Sequence, residues 1–251
     1  MAAIRAGFAN LLAPGFANVY HQNMDIKQYP EEYSRVLQLD KSIRQFEEEG
    51  IITGFGSAVK KEERDPTTYD DPIQKAKKRY TFATYSLGFR VSRELWEDDL
   101  YGVMKSMPEE LAFSMRDVME VLSAGIFING FTDTTANQGP DGEPLFGDGT
   151  TKTHPLDGGG TSANQLSVPA DLNADSLELM LNLLADTVND RGLLSMLKGM
   201  VVIVPTELRF TAKQLLESDL EAFTANNQTN QFDSMDLSYF VWHYLTDPDA
   251  W

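Results

Sequence analysis

The 251-residue chain contains no cysteine, which removes disulfides, thiolate metal sites and thiol nucleophiles together. Histidine is nearly as scarce: His21, His154 and His243 are the only three. No spacing pairs them, so the two-histidine helix of zinc hydrolases is excluded. Long hydrophobic runs are missing too. The longest, MVVIV at 200–204, is far short of a bilayer span. The N-terminal MAAIRAGFANLLAPGFANVY is interrupted by Asn10, Pro14 and Asn18 and lacks the apolar centre of a signal peptide. The expectation is a soluble intracellular protein with no membrane partner.

Basic residues are in short supply as well. Lys and Arg number 21 against 38 Asp and Glu, a formal charge of −17, which argues against a surface that grips nucleic acid through its phosphates. The deficit is uneven. Lys60 to Arg93 holds nine basic and five acidic residues, a local +4, leaving −21 on the rest. One basic segment on an acidic body suits contact between copies of the chain, because opposite potentials steer and register association. A solvated charged loop is the plainer alternative.

What is present is globular in proportion: 42% hydrophobic and 24% charged residues, in a chain long enough for one large or two small cored domains. Val36, Leu39, Ile43 and Phe46 form a helical stripe that Gly50 ends. KRYTFATYSLGFRVS at 78–92 reads as strand, and the charged, proline-broken stretch before it as the tip of a long β-hairpin over 51–91. In isolation such a hairpin is marginal, so something outside it holds it. Leu111, Met115, Val118, Met119, Leu122 and Ile126 predict a long helix with Pro108 in its first turn and Gly130 at its close. Leu177, Met180, Leu181, Leu184 and Val188 predict a second, with Gly192 as its C-cap. MVVIV reads as a buried strand, TELRFTAKQLLES as a short helix with Leu208, Ala212 and Leu215 inward, and LSYFVWHYL as a final strand. The fold class is α+β.

The richest chemical candidate is DGEPLFGDGTTKTHPLDGGGTSANQLS at 141–167. A catalytic reading uses His154 with Asp141, Asp148 or Asp157 as base, orienter or metal ligands. One histidine and a few aspartates fall short of a zinc set, and the spacing matches neither a calcium loop nor a phosphate-binding glycine motif. Asp-Gly, His-Pro and Gly-Gly-Gly are turn formers, and Leu145, Phe146 and Leu156 serve as anchors. The loop therefore reads as mechanical, with no catalytic residue, cofactor or metal. The acids Glu94, Glu97, Asp98 and Asp99 read as a helix N-terminus. The aromatics of 80–89 beside Arg79 and Arg90 read as strand packing in preference to a base-stacking platform.

In order and spacing, YTFATYSLGFRVSRELWEDDLYG, a long helix ending AGIFINGF, the DGEPLF…HPL…SANQL signature (Asp141–Phe146, His154–Leu156, Ser162–Leu166) and MVVIVPTELRFTAKQLLES resemble the major capsid proteins of tailed bacteriophages. The Mu-like branch is the nearest. The resemblance covers the chain from about residue 50 onward. It implies the Hong Kong 97-type shell fold: an N-terminal arm (1–50), an extended hairpin loop (51–91), a peripheral domain with a spine helix (92–172) and an axial domain (173–251). It implies a non-enzymatic head subunit of the virion, assembled in the bacterial cytoplasm. Pentamers and hexamers would close into an icosahedral shell around double-stranded DNA, which is enclosed without sequence-specific binding. The implied partners are other copies, a separate scaffolding protein, a portal and a decoration protein. Candidate inter-subunit contacts are Lys60, Lys61, Arg64, Lys75, Lys77, Lys78 and Arg79. Family members continue beyond the equivalent of DPDAW, so the axial domain is expected to be incomplete; for a lysine–asparagine crosslink the 60–78 segment offers lysines, but no partner or catalytic acid is identified. An encapsulin-type cargo shell is the alternative with the same fold, and a hydrolase built on His154 the alternative of another class.

Overall fold

The computed structural model describes residues 17–23, 31–98, 103–134, 137–156, 159–220, 229–248 and 250–251. Helices are α1 (17–23), α2 (Tyr33–Val36), α3 (Arg93–Glu97), α4 (Val103–Ile128), α5 (Ala174–Ala185) and α6 (Arg209–Leu216), with a 3-10 turn at Asn129–Phe131. Strands are β1 (Phe46–Ile52), β2 (Gln74–Thr81), β3 (His154–Pro155), β4 (Thr161–Ser162), β5 (Val201–Val204) and β6 (Ser238–Val241). Two compact units share them: Met1–Lys41 with Phe82–Ala124, and Ser42–Thr81 with Gly125–Trp251.

In the first unit the inward face of α4 is not the stripe its hydrophobic spacing predicts. Met104, Pro108, Ala112, Glu120 and Ala124 are buried at four-residue intervals, and Arg116, in the same row, is 12% exposed. Met119, Leu122 and Ile126 are exposed. The reason is polar. Glu120 accepts hydrogen bonds from the backbone N–H groups of Glu32 (2.7 Å) and Tyr33 (3.2 Å), and Arg116 lies 3.6 Å from Glu31. These contacts satisfy free N–H groups at the start of α2, which would otherwise be costly to bury. Pro108 falls inside α4, whose first residue is Val103.

In the second unit β1 and β2 form an antiparallel hairpin, with Glu48 opposite Arg79 and Glu49 opposite Lys78. This overturns the helix expected up to Gly50. Cross-strand pairing of acids against bases, with the Arg79 guanidinium 4.2 Å above the Phe46 ring, outweighs the local helical pattern. It also shows that the basic segment is partly neutralised by the acids that precede it. The ladder stops at Thr81, and residues 82–91 belong to no strand.

The remaining core follows the predicted order of elements, except that the strand expected to be buried at 200–204 has Met200 and Val201 exposed and only Val204 buried. The α5 capping box joins Asn173 and Ser176, and Leu177 is buried with Met180, Leu181 and Leu184 half-buried behind it. β5 and β6 pair in parallel. Val204, Leu172 and Ala212 form a buried cluster that Val202, Leu208, Leu215, Tyr239, Val241 and Trp251 enclose.

Candidate functional site

The 137–166 loop is pinned at three places. Phe146 stacks on Phe131 with centroids 4.5 Å apart, and its N–H donates to the Gly130 carbonyl at 3.0 Å. A Cβ on Gly130 would lie 2.8 Å from the Phe146 ring, so only glycine allows this approach. Asn164 ties both halves of the loop: its Oδ1 accepts from Gly147 N–H at 2.7 Å and its Nδ2 donates to the Leu145 carbonyl at 2.8 Å. Asp148 accepts from the backbone N–H groups of Thr150, Thr151 and Lys152 and from the Thr151 hydroxyl at 2.6 Å. Hydrogen bonds to the charged form, that from Thr151 foremost, hold its carboxyl well below the usual carboxylate range. Pro144 is fully buried, whereas the expected anchor Leu145 is 39% exposed.

His154 sits on β3, opposite Ser162 of β4, with Nδ1 2.7 Å from Asp141 Oδ2. Facing a carboxylate, Nδ1 carries the hydrogen of the neutral ring and Nε2 the lone pair. Nε2 is buried and has no hydrogen-bond partner among the described residues. That ring edge abuts Gly147, where an added Cβ would lie 3.0 Å away. A general base needs its lone pair within reach of a substrate proton; this one is sealed against backbone. The dyad clamps a loop and offers no route to hydrolysis. Asp157 and Asp99 lie outside the described residues. Among the described residues no group of three or more acids and histidines could hold a metal ion.

The hairpin has a root that sequence reasoning missed. Residues 187–195 form a tight turn, with Val188 bridged to Leu194, Asn189 Oδ1 accepting from the N–H groups of Arg191 and Leu193, and Gly192 at φ +78°. Gly192 therefore belongs to this turn, while α5 ends at Ala185. From the turn Arg191 reaches the hairpin loop. Its Nε donates to the Gly54 carbonyl (3.1 Å), its Nη2 to that of Asp71 (2.8 Å), and Asp70 lies 3.7 Å away. Asp190 pairs with Lys75 at 2.8 Å. The only sequence signal was the turn-forming NDRG itself.

Of the seven candidate contact residues, Lys75, Lys78 and Arg79 have partners within the chain: Asp190, the Gln138 carbonyl (2.5 Å) and Glu48 (2.5 Å). Lys60 pairs locally with Glu62 at 2.7 Å. Lys61, Arg64 and Lys77 are exposed and make no ion pair among the described residues. Beside them Ile52, Phe55, Val59 and Tyr69 are exposed, Tyr69 by 89%. Phe82, Tyr85 and Leu87, which follow β2, are each more than half exposed instead of packing in a sheet.

A family model described as phage capsid protein matches residues 75–251. No curated protein sequence matches this chain. Among the solved structures that share its fold are three of bacteriophage JBD30. The capsid of bacteriophage JBD30 aligns with a TM-score of 0.66 at 14% identity, covering 88% of this chain and 94% of that one. The JBD30 procapsid aligns with a TM-score of 0.63 at 16% identity, covering 95% and 100%. The JBD30 capsid decorated with minor capsid protein trimers aligns with a TM-score of 0.62 at 17% identity, covering 88% and 93%.

Proposed function

The chain belongs to the phage capsid protein family, and from that premise we propose that it is the major head subunit, self-assembling into pentamers and hexamers of an icosahedral shell that encloses double-stranded DNA. The family is structural, not enzymatic, and its place is the virion. One observation supports the assembly reading: the hairpin of residues 46–81 is held by a few polar contacts of Lys75, Lys78, Gly54 and Asp71, while Ile52, Phe55, Val59 and Tyr69 stand in solvent. A monomer has no use for such a surface.

In this reading the hairpin is the extended loop that lies over an adjacent subunit, α4 the spine helix of the peripheral domain, and the segment from Asn173 the axial domain. Lys61, Arg64 and Lys77 meet acidic surface on the next copy, while Lys75, Lys78 and Arg79 stiffen the arm that carries them. A net charge of −17 lets the wall enclose phosphate without adhering to it. A scaffolding protein, a portal and a decoration protein complete the set of partners.

Negative-stain electron microscopy of the purified chain, alone and co-expressed with its neighbouring genes, tests this. Closed shells or capsomer rings are expected. A monomer under every condition would sink the reading. An encapsulin-type shell is disfavoured by the family match, and a neighbouring cargo enzyme in place of portal and tail genes would reopen it.

A further inference from the structure

Every apolar side chain of the hairpin, residues 46–81, is exposed, and Thr53 alone is buried. Polar bonds therefore do two separate jobs. Some knit the hairpin to itself. Thr53 N–H donates to the Ile73 carbonyl at 2.9 Å, Ile73 N–H to the Thr53 hydroxyl at 3.1 Å, and Gly56 N–H to Asp70 at 2.8 Å. Others seat it on the rest of its unit. Lys75 reaches Asp190 and the Pro155 carbonyl, Lys78 the Gln138 carbonyl, and Arg191 the carbonyls of Gly54 and Asp71. Such a seat supplies direction: hydrogen bonds fix angle and distance, whereas apolar burial is non-directional. Arg191 makes the bridging contact. Its planar guanidinium spans the two sides of the loop, just after β1 and just before β2, which the point charge of a lysine cannot do. The side chain is 16% exposed and springs from a turn that Asn189 braces at the N–H groups of Arg191 and Leu193.

We infer that Arg191 is a positioning residue for assembly, which aims the hairpin before another subunit arrives. The inference rests on the capsid reading. An arm that swings freely must be ordered at the moment it docks, and that ordering weakens association. An arm aimed by its own chain has lost that freedom on folding. Apparent affinity falls with the fraction of molecules in the competent state, so an arm correctly directed one time in ten needs about tenfold more protein to assemble.

The chain has no cysteine, so A58C on the hairpin loop and E178C on α5, both exposed, carry the only spin labels. Pulsed electron–electron resonance on the unassembled chain then measures where the arm points. One narrow distance distribution is expected with Arg191 and a broad one in R191A. R191K, which keeps the charge but cannot span both carbonyls, is expected to broaden it too, with less loss of stability. In unlabelled protein, electron microscopy and sedimentation velocity read assembly against concentration, at a temperature where circular dichroism shows the variants folded. Both Arg191 variants are expected to raise the threshold, R191A by about tenfold. V204A loosens the core at a fully buried residue of β5 and is expected to assemble near the wild-type threshold. Narrow distributions in both Arg191 variants overturn the inference, and so does assembly of both at the wild-type threshold. An equal rise in V204A also overturns it, by assigning the effect to stability. A wild type that never assembles fails the capsid reading instead, and the distance measurement is independent of that outcome.

Discussion

Single residues in the 137–166 loop act through close approach and hydrogen-bond supply. A methyl group at Gly147 would lie 2.8 Å from the Lys152 carbonyl and 3.0 Å from the His154 ring. G147A is therefore expected to destabilise the chain by about 1–3 kcal/mol, read as a lower denaturation midpoint. Asp148 makes a prediction about pH. Its folded value is depressed, so its contribution is whole above the ordinary carboxylate value of about 3.9 and is lost as pH falls below it. Protection of the Thr150, Thr151 and Lys152 amides, measured as exchange relative to an unstructured chain at the same pH, should fall as pH drops below that value, and D148A should show the low protection already at neutral pH. If the variant's amides stay protected, the carboxylate is not what orders the turn. H154A removes a clamp and no activity, and its effect should be confined to stability.

Elements are joined by a few polar contacts that hydrophobic patterning does not reveal. Arg191 supplies two hydrogen bonds to carbonyls of the hairpin loop from a side chain 16% exposed. R191A should cost about 1.5–3 kcal/mol, in the range of charge-assisted bonds, and should sharply speed limited proteolysis within 53–73. An unchanged cleavage rate would mean the root is held elsewhere. Glu120 does the corresponding work for α2. E120A leaves the N–H groups of Glu32 and Tyr33 without this acceptor in a buried place, an expected loss of about 2–4 kcal/mol at roughly 1–3 kcal/mol per orphaned group. A double-mutant cycle with Arg116 separates that loss from the neighbouring Glu31 contact.

For the molecule as a whole the governing quantity is surface left uncovered. Exposed apolar groups on the hairpin and on 82–87 are the surface that the proposed assembly would cover, and acidic net charge would set the conditions under which copies meet. Raising ionic strength from low to physiological should ease assembly by screening that repulsion over about 8–10 Å. Reversing Lys61, Arg64 and Lys77 together should slow assembly with little change in melting, because rim charges act mainly on encounter. A triple variant that assembles at the wild-type rate would remove these cations from the list of contacts.

Much of this was legible in the sequence because it depends on neighbours along the chain. The α5, β5, α6 and β6 order and the turn chemistry of 141–167 follow from local pattern and residue type, and the order of motifs pointed to the capsid family. Tertiary structure decided the rest. Whether FEEEGII is helix or strand depended on bases some thirty residues away in β2. Which face of α4 turns inward depended on a carboxylate meeting two backbone N–H groups of a distant segment. That Arg191 and Asp190 root the hairpin depended on a turn delivering them to carbonyls and a lysine more than a hundred residues earlier. Hydrophobic periodicity is written along the chain, whereas a buried polar group declares its role only when folding brings its partner to it.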